Sequence, residues 1–280
     1  MLRLNVFHTI EELRAWRTSL TGTVGFAPTM GNLHDGHIAC LHAAQLGTNH
    51  SVVSIFVNPT QFAPTDDFAK YPRTLDDDLK LLAANGCDAV FVPSVDEMYP
   101  SGASTKVIAG SMAQGLEGDF RPGHFDGVAT VCLKLFQIVE PAVVAFGCKD
   151  LQQMRVIQQL IRDFNMPIHL EAVPTTREAS GLALSSRNRY LTPDAKVQAS
   201  QLNQGLQDTL RQVLAGTSPD VAEAKTTAVL EEHGWDVDYI AVRDAVTFQN
   251  ITPETTELAV LGAARLHSVR LIDNITAIQS

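Results

Sequence analysis

Apolar residues along the first 176 positions alternate between two patterns. Short runs rich in β-branched and aromatic residues at 24–27, 51–57, 88–92, 142–146 and 168–173 predict strands. The densest, Ser51-Val52-Val53-Ser54-Ile55-Phe56-Val57, reads as a strand buried on both faces. Between these runs, 38–45, 76–84, 127–139 and 151–164 predict helices. Residues 1–22 predict one more strand and then a helix, with Thr9 as N-cap and a Glu three residues on. Strand alternating with helix is the pattern of a parallel sheet with crossover helices. After about residue 176 the pattern changes: helices at 193–215 and 219–233 precede strand-like runs at 237–243, 257–266 and 269–275. The expected organisation is an α/β first domain over 1–176 and a smaller α+β C-terminal domain over 177–280, joined through residues 177–191. There are no internal repeats and no low-complexity tract.

In a parallel sheet, ligands bind beyond the carboxyl ends of the strands. Four such ends carry polar or glycine-containing sequence, at 29–37, 58–62, 147–150 and from 174 onward, which points to one shared site. The first follows a strand and opens a helix: Pro28-Thr29-Met30-Gly31-Asn32-Leu33-His34-Asp35-Gly36-His37. Free amides and the positive end of the dipole at that helix start suit a phosphate chain. Gly31 lets the turn bend, and Gly36 lets a flat ring approach the backbone. His34 and His37 share a face and can donate hydrogen bonds to charge developing on phosphorus. A lone H-x-x-H pair is more often a surface feature, or half of a zinc site, although no third ligand stands at a convincing spacing. In this setting H-D-G-H resembles the H-x-G-H signature of the nucleotidyl-transferring Rossmann-like superfamily.

Asn58-Pro59-Thr60-Gln61-Phe62 is either a turn closed by Asn-Pro or a substrate loop. In the second case Gln61 could bind a hydroxyl and a carboxylate together. Phe146-Gly147-Cys148-Lys149-Asp150-Leu151-Gln152-Gln153 again runs from strand through glycine into helix. Lys149 is a point charge for phosphate, and Gln153 lies one turn further on. At the domain junction, Ser185-Ser186-Arg187 reads as a triphosphate clamp on a closing lid, or as an ordinary polar linker.

The chain has 280 residues, 45% hydrophobic and 19% charged, so a full globular core can be buried. Its net charge of −10 excludes a general nucleic-acid binder and requires useful cations to sit inside the motifs. No apolar run approaches a membrane span and no signal-peptide h-region opens the chain. Cys40, Cys87, Cys132 and Cys148 are scattered, as expected of reduced thiols in the cytoplasm.

The motifs taken in order resemble those of the pantothenate synthetase (pantoate–β-alanine ligase) family over essentially the whole chain. They are 28–37, 54–62, Tyr71-Pro72-Arg73-Thr74-Leu75, Arg121-Pro122-Gly123-His124-Phe125-Asp126-Gly127, Lys149-Asp150 and 181–188. The resemblance implies a Rossmann-like sheet with a small C-terminal lid, and a cytoplasmic homodimer using ATP and Mg²⁺. It implies that pantoate attacks the α-phosphate of ATP to give pantoyl adenylate, from which β-alanine displaces AMP. By position, Met30, Gly31, Asn32, Leu33, His34, Asp35, Gly36 and His37 would line the ATP site. His37 would be the proton donor, and His34 and Lys149 would handle the phosphates. Gly147, Cys148, Lys149, Asp150, Thr176, Leu184, Ser185, Ser186 and Arg187 would complete the nucleotide pocket. Gln61 and Gln153 would hold pantoate, Gln61 facing β-alanine as well, with Asn58 nearby. The chain departs from the family at Cys148 (usually Glu), Leu151 (Tyr), Thr176 (Val) and Ser180 (Asp), which bears on the fit around adenine and ribose. Two other readings remain at this point: a nucleotidyltransferase whose product keeps the AMP, and an inactive nucleotide-binding protein.

Overall fold

The first helix shows how tightly local sequence sets the elements. After the short strand β1 (Asn5–Phe7), α1 spans Ile10–Ser19. Thr9 Oγ1 accepts from the Glu12 amide, and the Glu12 carboxylate accepts from the Thr9 amide at 3.1 Å. This capping box satisfies two donors that a helix start otherwise leaves open. The structure, a computed structural model, describes residues 4–62, 68 and 71–279, so positions 1–3 of the first expected segment lie outside it.

The chain divides into two units, one formed by Met1–Cys148 with Gln153–Pro174 and the other by Lys149–Gln152 with Thr175–Ser280. The first contains β2 (Val24–Thr29), α2 (Asp35–Gln45), β3 (His50–Ile55), α3 (Leu75–Ala84) and β4 (Ala89–Phe91). It continues through single-turn helices α4 (Val95–Met98) and α5 (Glu117–Phe120), then α6 (His124–Val139) and β5 (Val143–Gly147). Helix α7 (Leu151–Asp163), whose first two residues group with the second unit, and strand β6 (His169–Val173) complete it. The strands form one parallel sheet in the order β1-β4-β3-β2-β5-β6. The predicted strand at 51–57 stops at Ile55, and the two single-turn helices were not foreseen, being too short to show periodicity.

The sheet is filled where the pattern demanded: Phe26, Val52, Val53, Val90 and Phe91 are buried in its central strands. Helix α6 is apolar almost all round and is buried along most of its length, with Phe136 edge-on to Phe26. From β2 the chain moves through β3 to β4 on one side, while β5 and β6 lie on the other. The strand order therefore reverses between β2 and β5. A crevice opens outside the carboxyl ends of strands at such a reversal, and 30–37 and 147–150 follow these two strands.

The second unit contains α8 (Pro193–Leu214), α9 (Pro219–Glu232) and a three-stranded antiparallel sheet. Its strands, β7 (Trp235–Asp244), β8 (Glu257–Leu266) and β9 (Val269–Ile278), lie in chain order. Leu202 and Leu206 of α8 and Leu230 of α9 bury against Trp235, Val260 and Leu271 of the sheet. No helix among the described residues is long and apolar enough to cross a membrane. None of the four cysteines is in a disulfide, and burial pushes the thiols of Cys87 and Cys132 up to about 12.

Candidate active site

His34 is the N-cap of α2, and His37 is its third helical residue. Nδ1 of His34 accepts from the Gly36 amide and Nδ1 of His37 accepts from the His34 amide, both at 3.2 Å. Two imidazoles thus perform the reciprocal capping that Thr9 and Glu12 perform in α1. An Nδ1 that accepts carries no proton, so each neutral ring holds its proton on Nε2. The ring centroids lie 4.1 Å apart and are tilted by 42°. The pair presents hydrogen-bond donors fixed by the helix start itself.

The expectation of free amides at this helix start is met only at Asp35, whose amide has no partner among the described residues, while its neighbours are engaged. The amides of Asn32 and Leu33 donate to the two carboxylate oxygens of Asp78 at 2.9 and 2.8 Å. Gly31, with φ 84°, donates to Thr29 Oγ1, and the amides of His37 and Ile38 are taken by the His34 carbonyl. The turn consumes most of its own donors, two of them because a buried carboxylate faces it. Asp78 also accepts from Thr74 Oγ1 and is buried on α3. Hydrogen bonds to a charged group contribute about 1.5–3 kcal/mol each, so this clamp is a main determinant of the turn. The sequence did hold a signal for it: Asp78 falls on the apolar stripe of Leu75, Leu79 and Leu82.

Gln61 ends the 3-10 turn Pro59–Gln61 and is buried. Its Nε2 donates to Met30 Sδ at 3.3 Å, so this turn and the H-D-G-H loop meet. Its Oε1 accepts from Asn58 Nδ2 at 3.0 Å. The other Asn58 amide hydrogen goes to the Gly127 carbonyl, while Oδ1 accepts from Thr60 and from the Tyr99 hydroxyl at 2.9 Å. Asn58 therefore orients Gln61 from below. Burial pushes the Tyr99 hydroxyl up from its ordinary value and keeps it a donor. His124 Nδ1 donates to the Gln61 carbonyl at 2.9 Å, and Arg121 donates to His124 Nε2 at 3.1 Å. A Cβ on Gly127 would sit 2.3 Å from the Thr60 carbonyl oxygen, so only glycine lets α6 lie against this turn. Tyr99, His124 and Gly127 were thus missed as supports of Gln61, although R-P-G-H-F-D-G was visible as a motif.

Gln153 stands in the first turn of α7, and Gly147 ends β5. Cys148–Asp150 form a 3-10 turn between them, with Cys148 half-buried. The strands β3, β2 and β5 that deliver Gln61, the histidines and this turn are neighbours in the sheet.

In the second unit, Lys149 is 18% exposed, and its ammonium has one charged neighbour among the described residues, Asp150 at 3.9 Å. Thr176 pairs through its carbonyl with the Leu184 amide at 2.9 Å. Ser185 caps the 3-10 turn Ser186–Tyr190 by accepting from the Arg187 amide. Arg187 is exposed, and its guanidinium has no partner among the described residues. One cleft is lined by Lys149, Ser185, Arg187, Asn188, Arg270 and Asp273, the last paired with Arg177, and the buried Oδ1 of Asn188 has no hydrogen-bond partner. Two cations with little or nothing to neutralise them fit an anionic ligand. No three His, Cys, Asp or Glu among the described residues form a metal-ligand group.

A family model described as pantoate-beta-alanine ligase matches residues 5–276. A pantothenate synthetase of Acidothermus cellulolyticus is 48% identical over 274 residues, covering 96% of this chain and 90% of that protein. The crystal structure of a pantothenate synthetase from Thermus thermophilus superposes with a TM-score of 0.90 at 39% identity, covering 97% and 98% of the two chains. That of a pantoate-beta-alanine ligase from Francisella tularensis, complexed with beta-gamma ATP and beta-alanine, gives 0.81 at 35% identity over 98% and 97%. A match of this length, in both sequence and fold, means that the chain belongs to the pantoate–β-alanine ligase family.

Proposed function

We propose that the protein joins (R)-pantoate to β-alanine at the expense of ATP, through a pantoyl adenylate. The observation that carries this reading is the His34–His37 interlock, which holds two Nε2–H donors at the start of α2 beside the β2–β5 reversal. A pantoate carboxylate oxygen attacks the α-phosphorus, the bond to the bridging oxygen breaks, and pyrophosphate leaves. The neutral amine of β-alanine then attacks the acyl carbon, and AMP leaves with the former carboxylate oxygen. His37 and His34 donate to the phosphate oxygens as charge shifts, and Lys149 and Arg187 neutralise the departing pyrophosphate.

Met30 through His37, Gly147 through Asp150, Thr176 and Leu184 through Arg187 serve the nucleotide in this proposal. Gln61 and Gln153 hold pantoate. Mg²⁺ enters with ATP as its phosphate-bound salt, the usual mode for this ion, and no protein ligand is assigned to it. Four cysteines without a disulfide support a cytoplasmic location, and family resemblance supports a homodimer with the second unit acting as a lid.

The test is product analysis with and without the amine. ATP plus pantoate should yield pyrophosphate but no free AMP until β-alanine is added. AMP retained in the final product would mean a nucleotidyltransferase, and neither product would mean an inactive binder. A second outcome concerns the acceptor pocket. Gln61→Ala should raise the pantoate KM about tenfold or more while the ATP KM moves little, as expected for loss of a hydrogen bond to a charged group. An equal rise in both would assign Gln61 to the nucleotide instead.

A further inference from the structure

Arg177 and Ala183 form an isolated antiparallel bridge, closed by Glu178 N to Leu182 O at 2.8 Å and Gly181 N to Glu178 O at 2.9 Å. The returning arm runs straight into Ser185. Arg177 makes four bonds from two nitrogens: Nη1 to Gly181 O at 3.1 Å and Asp273 Oδ2 at 2.6 Å, Nη2 to Asp273 Oδ1 at 2.9 Å and Asn274 O at 3.1 Å. Asp273 is buried and also accepts from Asn203 Nδ2 at 3.0 Å and from the Asn274 amide at 2.8 Å. The in–out alternation of β9 breaks at these two neighbours, which are both buried. Successive side chains of a strand point to opposite faces. Asp273 takes Arg177, and Asn274 donates from Nδ2 to the Lys149 carbonyl at 2.8 Å.

We propose that Arg177, Asp273 and Asn274 are positioning residues: one buried hub fixes the backbone of Lys149 and the hairpin leading to Ser185–Arg187 in a single frame. The inference rests on the reading of Lys149 as a phosphate-handling residue. Asn274 is its selective handle, since Arg177 uses the backbone carbonyl of Asn274 and not its side chain. Removing the amide frees the Lys149 turn while leaving the Arg177–Asp273 pair intact. Misplacing a catalytic group by about 1 Å costs as much as 10²-fold, so a loosened carbonyl should cost about tenfold.

The experiment measures pyrophosphate release from ATP and pantoate on the full chain. Asn274→Ala should slow it about tenfold, Lys149→Ala by about 10², and the double variant should be no slower than Lys149→Ala alone, because residues acting as a unit are not additive. Arg177→Lys keeps the charge but loses the fork, and should raise the ATP KM several-fold, roughly as loss of one or two hydrogen bonds would, while leaving the pantoate KM unchanged. A normal rate in folded Asn274→Ala, or a double variant in which the two losses multiply, overturns the hub. A normal rate in Lys149→Ala overturns the underlying reading of Lys149, and the hub with it.

Discussion

His37→Ala should slow pyrophosphate release from ATP and pantoate by about 10² or more, the range expected when a positioned donor to developing charge is removed. The same change also removes the acceptor for the His34 amide, a helix-cap bond whose loss costs about 0.5–2 kcal/mol. Two isosteric probes separate these effects. The side-chain oxygen of Asn reaches about as far as Nδ1, so His37→Asn should restore the cap and thermal stability without restoring the rate. Gln reaches about as far as Nε2, so His37→Gln should recover part of the rate while the cap stays broken. If pyrophosphate release in folded His37→Ala is close to normal, His37 has no part in the chemistry.

The largest expected effect on stability lies at Asp273. Asp273→Ala leaves the Arg177 guanidinium without its carboxylate, and breaking a buried pair in this way costs about 3–5 kcal/mol. The lower end is expected, because Arg177 keeps 24% side-chain exposure and its bonds to two carbonyls. Removing both charges together with an Arg177→Met, Asp273→Leu pair should recover part of the loss. Trp235 is buried in the same unit, so its fluorescence during urea unfolding in a Trp16→Phe background reports the change. An unfolding midpoint unchanged by Asp273→Ala would show that the pair contributes nothing to this unit.

Much of the fold was legible because its elements carry redundant local signals. Thr9 and Glu12 mark a helix start by their own spacing, and the run at 51–57 needs no partner to read as a strand. The histidines and Gln61 were legible as strand-end residues for the same reason. What stayed hidden depends on distant partners. Asp76, Asp77 and Asp78 stand in a row; the apolar stripe marks Asp78 as the one that turns inward, but not that it would meet the 32–33 amides. The grouping of Lys149–Gln152 with the second unit could not be read either, since the bond from Asn274 spans 125 residues. Asn58 looked like a turn former or a substrate contact; it does cap the turn Pro59–Gln61, and its buried bonds also orient Gln61, which the sequence did not show.

The interlocked histidines have a consequence for protons. Each Nδ1 faces a backbone N–H that cannot turn away without uncapping α2. A second proton on either ring would set donor against donor, so in the proposed site the rings would meet an anion as neutral groups through Nε2–H. In the proposed site ATP would therefore dock onto these two histidines without drawing protons from solution. The heat of binding contributed there should then be the same in buffers of high and low ionisation enthalpy, a measurement that calorimetry in two such buffers checks.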